Sequence, residues 1–362
     1  MFVSEQYRVL ITGCGGPAAI NFTRALLSAP EKFYLVGTDA GAWLHYLSPI
    51  EKKYRVPRAR DPNYIPKLRE ILKQEKIDFL HPQPDVEVEV ITKNLDKLEV
   101  KALLPKPNVV EILRDKYLTY KFFKEKGIPV PETRIYSPEA LEELASEYGW
   151  PIWLRARKGA GARLSLPVNS VEEAEKWVRL WVMRGAVSIE EFIIQEYLPG
   201  KDAAWDSLWF RGKVVGSYSR ERLEYIYPHL SPSGLTGTPA VARVYIDDKL
   251  TKLGVEAIKA LDPEASGFYC FDVKYKDDQP YITEINPRPH TTFSLWCYTG
   301  VKVLGYDHRY NLPYVYVKLG LGDIENIEFV GNDMFPEGIT LIRHIDAGAI
   351  LLFPDGKKKR VL

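Results

Sequence analysis

The stretch from Phe268 to Arg288, FYCFDVKYKDDQPYITEINPR, constrains this chain more than any other. Two alternating runs, Tyr269 to Tyr275 and Tyr281 to Asn286, flank the polar segment Lys276-Asp277-Asp278-Gln279-Pro280, the pattern of a β-hairpin with a loop of a few residues. A turn centred on Asp278 sets Asp272 opposite Glu284, with Cβ atoms roughly 5 Å apart on one face. Asn286 lies two residues beyond Glu284, and the period of a strand puts it on that same face. Two carboxylates and a carboxamide side by side, with Arg288 just beyond, suit a hard divalent cation such as Mg2+, because without a cation the carboxylates repel each other. An ordinary solvated hairpin face would also accommodate these residues, so the rest of the chain has to decide.

With 362 residues the chain has room for two or three domains and a large core. Its 49 basic and 48 acidic residues leave a formal charge of +1, so no overall basic field points to nucleic acid or to an anionic membrane. The one dense basic run, Lys357 to Arg360, reads as a solvated tail. The N-terminus lacks the features of a signal peptide and no apolar run approaches 18 residues, which together predict a soluble, cytoplasmic protein. Cys14, Cys270 and Cys297 are widely spaced, match no zinc pattern and cannot all pair, so reduced thiols are expected.

Along the chain, Tyr7 to Thr12 is an aliphatic run leading into Gly13-Cys14-Gly15-Gly16-Pro17-Ala18, and Ala19 to Leu27 spaces its apolar residues helically. Phe33 to Gly37 and Asp78 to Leu80 read as further strands, with a helix over Tyr64 to Glu75 between them; this alternation predicts βαβ units and a parallel sheet. The glycine turn satisfies G-x-G-x-x-A, and Asp39 stands where a dinucleotide fold keeps its ribose-binding acid, so an NAD-dependent oxidoreductase is one possible function. The same glycines equally permit a tight turn with a nest of N–H groups for another anion.

Val109 to Lys126 has helical spacing interrupted near Asp115-Lys116. Ser137 and Pro138 supply a cap and a first position for a helix that stops at Gly149. Trp150 to Arg155 and Leu164 to Val168 read as strands on either side of a basic glycine loop, Lys158 to Arg163, and Ser170 with Glu173 forms a capping box for a helix reaching Met183. That loop could close over a polyphosphate or be a plain hairpin tip. Phe192 to Tyr197 then runs into Leu198-Pro199-Gly200, a hinge whose backbone at Glu196 and Leu198 suits a purine edge, with Asp202 placed for a ribose. A polar loop, Ser231 to Thr238, and an amphipathic helix, Lys249 to Leu261, precede the hairpin.

Taken in order, Lys116, the strand carrying Arg155, the glycine loop, EYLPG and the Asp/Glu/Asn hairpin ending in EINPR resemble the ATP-grasp superfamily over about residues 7 to 320. The N-terminal unit resembles the domain that precedes it in the carbamoyl phosphate synthetase large-subunit branch. The resemblance implies a mixed α/β and α+β fold: a Rossmann-like parallel-sheet domain over 1–110, a lid subdomain with the glycine loop over 111–190, and a C-terminal subdomain with the metal-binding hairpin over 191–362. It implies that Lys116 and Arg155 contact ATP phosphates while Lys158, Gly159 and Gly161 close over them. Glu196 and Leu198 would hold adenine through their backbones and Asp202 the ribose; Asp272, Glu284 and Asn286 would bind Mg2+ or Mn2+, and Arg288 would steady the transferred phosphoryl group. Many members carry Lys where this chain has Arg155, whereas the carbamoyl phosphate synthetase branch has Arg.

The implied activity is ligation: a small-molecule carboxylate is activated by ATP as an acyl phosphate, and an amine then displaces phosphate, with Arg288, Arg155 and Lys116 as the catalytic cations. The same residues would serve a small-molecule or carbamate kinase, and a non-catalytic nucleotide-binding protein is a further alternative. No glutaminase-like Cys and His segment is recognisable, and a homodimer is the prior for oligomeric state. Arg220 and Arg222 could bind the substrate carboxylate, with surface salt bridges the expected use, and His290, just past the NPRP run, could touch substrate, with a structural role expected. His81 and Asp85 follow a strand of the first domain, at the sheet edge where α/β folds place ligands. Trp296, Tyr298 and the segment Tyr306 to Tyr316 are expected in core or interface.

Overall fold

The computed structural model describes residues 6–159, 162, 164–235, 237–323, 327–345 and 348–361. Strands β1 (Arg8–Thr12), β2 (Tyr34–Asp39), β3 (Lys52–Arg55) and β4 (Phe79–His81) form a wholly parallel sheet in the order β3-β2-β1-β4. The central strand, β1, is buried from Val9 onward, as a strand covered on both faces requires. One face packs on the helices Tyr64–Gln74 and Asp85–Lys93 through Leu68, Ile71 and Ile91. The other is covered by Pro17–Leu27 and by two helices from the far end of the chain, Phe293–Lys302 and Leu312–Leu321. There Phe22 stacks on His81 at 3.8 Å and meets Tyr316 edge-on at 6.0 Å. A Cβ on Gly320 would lie 2.1 Å from the Phe79 ring, so only glycine allows this approach.

The glycine turn after β1 has its own occupant. Gly13 is left-handed (φ +57°), and the Gly15 N–H donates to Asp39 Oδ2 at 2.9 Å. A Cβ on Gly15 would stand 2.4 Å from the Leu44 carbonyl carbon, because the short 3-10 turn Leu44–Leu47 lies against the glycine. Asp39 therefore occupies the N–H that a dinucleotide phosphate would need, and the chain's own backbone fills the space beside it. The turn is a structural joint, and the dinucleotide reading loses its support.

A second sheet, order β5-β8-β6-β7, comprises β5 (Thr133–Ile135), β6 (Ile152–Ala156), β7 (Leu166–Val168) and β8 (Phe192–Glu196), all antiparallel and backed by the helices Pro138–Tyr148 and Val171–Met183. The caps lie where the sequence placed them: Ser137 Oγ accepts from Ala140 N at 3.1 Å and Ser170 Oγ from Glu173 N at 3.2 Å. The reciprocal arm of the second cap shifts by one residue, with Glu173 Oε2 accepting from Asn169 N at 2.8 Å. The break at Asp115 is also a cap. Its backbone turns extended between the helices Pro107–Arg114 and Lys116–Glu125, and its carboxylate accepts from the Tyr117 and Leu118 amides at 3.0 and 3.3 Å.

The third sheet has eight strands, β9 (Asp202–Phe210), β10 (Lys213–Tyr225), β11 (Pro239–Val244), β12 (Gly267–Lys276), β13 (Gln279–Asn286), β14 (Thr340–His344), β15 (Gly348–Leu352) and β16 (Lys358–Arg360), in the order β13-β12-β9-β10-β11-β14-β15-β16. The C-terminal basic run is thus an exposed edge strand and not the solvated tail its composition suggested: its backbone pairs with β15, and Lys359 Nζ donates to the Val303 carbonyl at 3.1 Å. Cys14, Cys270 and Cys297 are buried free thiols. Among the described residues no helix is long and apolar enough to cross a membrane.

Candidate active site

The hairpin reaches its expected pairing by an unexpected route. Asp277 and Asp278 both have positive φ (48° and 59°) and form a two-residue turn, so β12 and β13 are longer than the sequence reading had them. From that turn, regular pairing would put Thr283 opposite Asp272 and send Glu284 to the other face. A β-bulge between Asp272 and Val273 absorbs Thr283, which leaves Asp272 opposite Glu284 and Asn286 opposite Cys270. The Thr283 hydroxyl donates to the Asp272 carbonyl at 3.0 Å and pins the extra residue.

These residues open into a cleft of about 340 Å³ that also receives Trp153 and Arg155 from the second sheet, Glu196 from the end of β8, Tyr197 and Leu198 from the connection after it, and Asp202, Arg220 and Arg222 from β9 and β10. Each acid in it faces a cation. Glu284 accepts from Arg155 Nη2 at 2.7 Å and lies 3.2 Å from Lys116 Nζ. Lys116, buried at the start of its helix, also donates to the Gly159 carbonyl at 3.2 Å; burial pulls its ammonium below the ordinary lysine value although Glu284 acts the other way. Asp272 pairs with Arg222 and accepts from Asn286 Nδ2 at 3.3 Å. Burial would raise its carboxyl, but Arg222, His290 and Arg155 outweigh that and hold it far below the usual carboxylate range. Asp202 accepts from Tyr225 Oη at 2.7 Å and Arg222 Nη1 at 3.2 Å. Glu196 is buried, with Lys276 Nζ 3.4 Å from its carboxylate, and Leu198 is buried in the cleft wall.

Arg288 is turned towards the N-terminal unit, where Nε and Nη2 grip Asp85 at 2.9 and 2.8 Å, and its Nη2 lies 3.5 Å from Asn286 Oδ1. Burial opposes the charge of Asp85, but Arg288 and Arg114 more than compensate and keep it ionised. Lys158 and Gly159 are exposed and do not line the cleft; Gly161, with Ala160 and Arg163, lies outside the described residues.

Two expectations are corrected. Arg220 and Arg222 are not surface salt bridges: Arg220 is fully buried with Nη2 2.8 Å from Asp206, and Arg222 links Asp202 to Asp272. Their spacing of two on one strand was visible, but Asp206, 14 residues upstream, becomes a partner only through the β9–β10 pairing. His290 Nδ1 meets Asp206 Oδ1 at 2.7 Å, and its Nε2 lies 3.1 Å from Asn286 Nδ2. Asp206, Cys270 and His290 come within ligating distance of one another, yet Arg220 already supplies the cation there. His81 is a core residue, and burial pushes its pKa down to about 3. Trp296 is buried in the core as expected.

Residues 113–292 match the ATP-grasp domain family. This chain belongs to the ATP-grasp superfamily. It is 27% identical over 236 residues to the carbamoyl phosphate synthase large chain of Pyrococcus furiosus, covering 63% of this chain and 21% of that one. It is 26% identical over 229 residues to the tyramine–L-glutamate ligase of Methanocaldococcus fervens, covering 62% of this chain and 64% of the other. This ATP-grasp chain therefore spans about a fifth of the first relative and just under two thirds of the second. The L-amino acid ligase of Bacillus licheniformis has the same fold, with a TM-score of 0.65 at 14% identity over 93% of this chain and 79% of its own.

Hard oxygen donors with no sulfur among them, two of them carboxylates that neighbouring cations hold ionised or in ion pairs, fit magnesium as an ATP-grasp site would hold it.

Proposed function

We propose that this chain is an ADP-forming ligase that activates a carboxylate with ATP and transfers the acyl group to an amine. The observation carrying this reading is the one cleft in which Asp272, Glu284 and Asn286 share a hairpin face opposite Lys116 and Arg155, with the backbone of Glu196 to Leu198 at its wall. Asp272, Glu284 and Asn286 would hold magnesium, which supplies charge neutralisation across the phosphate oxygens. Glu196 and Leu198 would take adenine and Asp202 the ribose. Lys116 and Arg155 are tied to Glu284 as the chain stands; once Glu284 turns to a metal, both cations face the polyphosphate. The unit spanning 111–190 would act as the lid, with Lys158, Gly159 and Gly161 closing to exclude water.

The balance of the reaction is simple. A carboxylate oxygen attacks the γ-phosphorus while the bond to the bridging oxygen of ADP breaks, giving acyl phosphate and ADP. The amine nitrogen then attacks the carbonyl carbon, the carbon–oxygen bond to phosphate breaks with its electron pair, and the nitrogen loses a proton. Arg288, oriented by Asp85 beside Asn286, is placed to steady the phosphoryl oxygens in both steps. Coupled measurement of ADP release from Mg-ATP tests this, with L-glutamate as donor against a panel of amines. Release is expected to rise only when acid and amine are both present. Turnover indifferent to every acid–amine pair, or a stable phosphorylated acid formed without amine, would replace ligation with phosphorylation.

A further inference from the structure

The C-terminal end of the first sheet carries a second hollow, of about 570 Å³, that shares no residue with the cleft. Arg55 ends β3, Val56, Pro57 and Arg58 follow it, Asn63 and Lys67 stand at the start of the helix Tyr64–Gln74, and Ala40, just after β2, completes the wall. Every charged residue on this wall is a cation. Lys67 Nζ lies 2.7 Å from Glu70, but the guanidiniums of Arg55 and Arg58 have no partner among the described residues. Asn63 occupies the N-cap, yet its side chain caps nothing. The nearest acid in sequence, Asp61, is not on the wall, and its carboxylate accepts from the Asn63 backbone amide at 2.8 Å. A single exposed arginine without a partner is ordinary. Two of them sharing a concavity with a lysine, in a chain whose 49 basic residues meet 48 acidic ones, repel each other with nothing on the wall to offset it. A concave surface of one sign concentrates the field of its charges and draws in a counter-ion.

We propose that Arg55, Arg58 and Lys67 form a phosphate site on the N-terminal unit, independent of the ligase cleft, whose ligand is a small phosphate monoester or inorganic phosphate. Guanidinium forks match phosphate oxygens two at a time, while the lysine adds a point charge and the idle Asn63 amide a further donor. A phosphate monoester brings three acceptor oxygens and close to two negative charges at neutral pH, which balances this wall better than the single charge and two oxygens of a carboxylate. The hollow lies within the size range of small-molecule sites, so the organic part of a monoester has room beside its phosphate. It is also set apart from the triphosphate. β3 and β4 are the opposite edges of the sheet, and Asp85, which grips Arg288, follows β4. Two to three strand spacings therefore separate the hollow from that fork, roughly 10–14 Å across the sheet.

The test is a phosphorus NMR titration of the full chain in chelator, without nucleotide or magnesium, at fixed ionic strength and pH 8, with glycerol 3-phosphate and inorganic phosphate as separate probes. At least one probe is expected to shift and broaden saturably. Arg55→Gln and Arg58→Gln should each raise its Kd on the order of tenfold, the loss of a hydrogen bond to a charged group at an open site. Both side chains are exposed, so melting curves of the two variants should match the parent. Lys259→Gln, on an exposed helix position outside both cavities, removes the same net charge and should leave the Kd unchanged. Neither probe saturating, both arginine variants binding like the parent, or Lys259→Gln weakening binding as much as they do would each overturn the site. Tighter binding of glycerol 3-phosphate names a phosphorylated small molecule as the ligand, and equal or tighter binding of inorganic phosphate names the free ion; either result upholds the site. No nucleotide is present, so these outcomes do not depend on whether the chain turns over Mg-ATP.

Discussion

Replacing Glu284 by Gln tests the structural and functional sides of the cleft in one variant. Glu284 is the common anion of Arg155, at 2.7 Å, and Lys116, at 3.2 Å, and the side-chain exposures of the three are 14, 13 and 6%, so water compensates little. Removing one partner of such a buried group leaves uncompensated charge and costs about 3–5 kcal/mol. Gln still offers an oxygen to Arg155, which puts the expected loss near the lower end, about 3 kcal/mol. At 2–4 °C per kcal/mol for large domains, the nucleotide-free variant should melt on the order of 6 °C below the parent. With Mg-ATP at a hundred times its Kd, the parent gains about 2.7 kcal/mol from binding alone. The variant should lose most of that gain because the metal loses an anionic ligand. Differential scanning calorimetry with and without Mg-ATP reads both numbers. Lys116→Met and the double variant complete a cycle in which the two losses overlap by roughly 0.5–3 kcal/mol, since Lys116 no longer needs a partner once it is gone. A Gln variant that melts like the parent, or one that keeps the full Mg-ATP increment, refutes the view that one carboxylate both locks the empty cleft and receives the metal.

Other expectations follow from buried groups away from the hairpin. Burial raises Glu87 from 4.5 to about 7, so its contribution is complete below pH 4.5 and is lost as pH rises through 7, by about 3 kcal/mol. Burial lowers His81 from 6.5 to about 3, so its contribution is complete above pH 6.5 and is lost as pH falls towards 3, by about 5 kcal/mol. The two slopes oppose each other between pH 4.5 and 6.5; Glu87→Gln should unmask a loss of about 1.4 kcal/mol per pH unit on acidification there, and a flat series of urea midpoints would count against it. Asp85→Asn removes the charge and replaces one of the two fork acceptors of Arg288 by an NH2 donor, and should lower kcat on the order of tenfold, with a smaller change in KM for ATP, in steady-state kinetics. Gly15→Ala puts a methyl group 2.4 Å from the Leu44 backbone, which cannot swing aside as a side chain would, and should cost about 1–3 kcal/mol in denaturant unfolding.

Much of this architecture was legible because it is local. Ser137, Ser170 and the break at Asp115 are caps whose partners lie within a few residues, so composition at the helix start is enough to find them. The hairpin is a subtler case: the sequence reading centred the turn one half-residue away from the real one, and the bulge at Thr283 restored the pairing of Asp272 with Glu284. Alternation alone cannot see that, because a two-residue turn plus a bulge and a longer turn without one lead to the same opposite residues. What stayed hidden depends on distant segments. Gly15 is enclosed by Leu44, Asn21 donates to the Thr291 carbonyl 270 residues away, and the two late helices cover the first sheet. The burial of Arg220 and Arg222 follows from Asp206, Asp202 and Asp272, none of them adjacent in sequence.

Those hidden partners change how the cleft should be understood. Read one residue at a time, it is a collection of acids for metal and cations for phosphate. In the fold the acids and cations are already spent on each other: Glu284 with Arg155 and Lys116, Asp272 with Arg222, and Asp85 with Arg288. The neutrality keeps an empty, partly dehydrated site stable, since isolated buried charges would cost several kcal/mol each. It also means that neither metal nor triphosphate can bind well alone, because either one separates pairs and leaves the other half uncompensated. Magnesium and triphosphate arriving together exchange one neutral set for another, as the acids turn to the metal and the cations to the phosphates. The same charges that hold the cleft together therefore favour the metal–nucleotide complex over its parts, and affinity for ATP measured in chelator should fall far below that measured with magnesium.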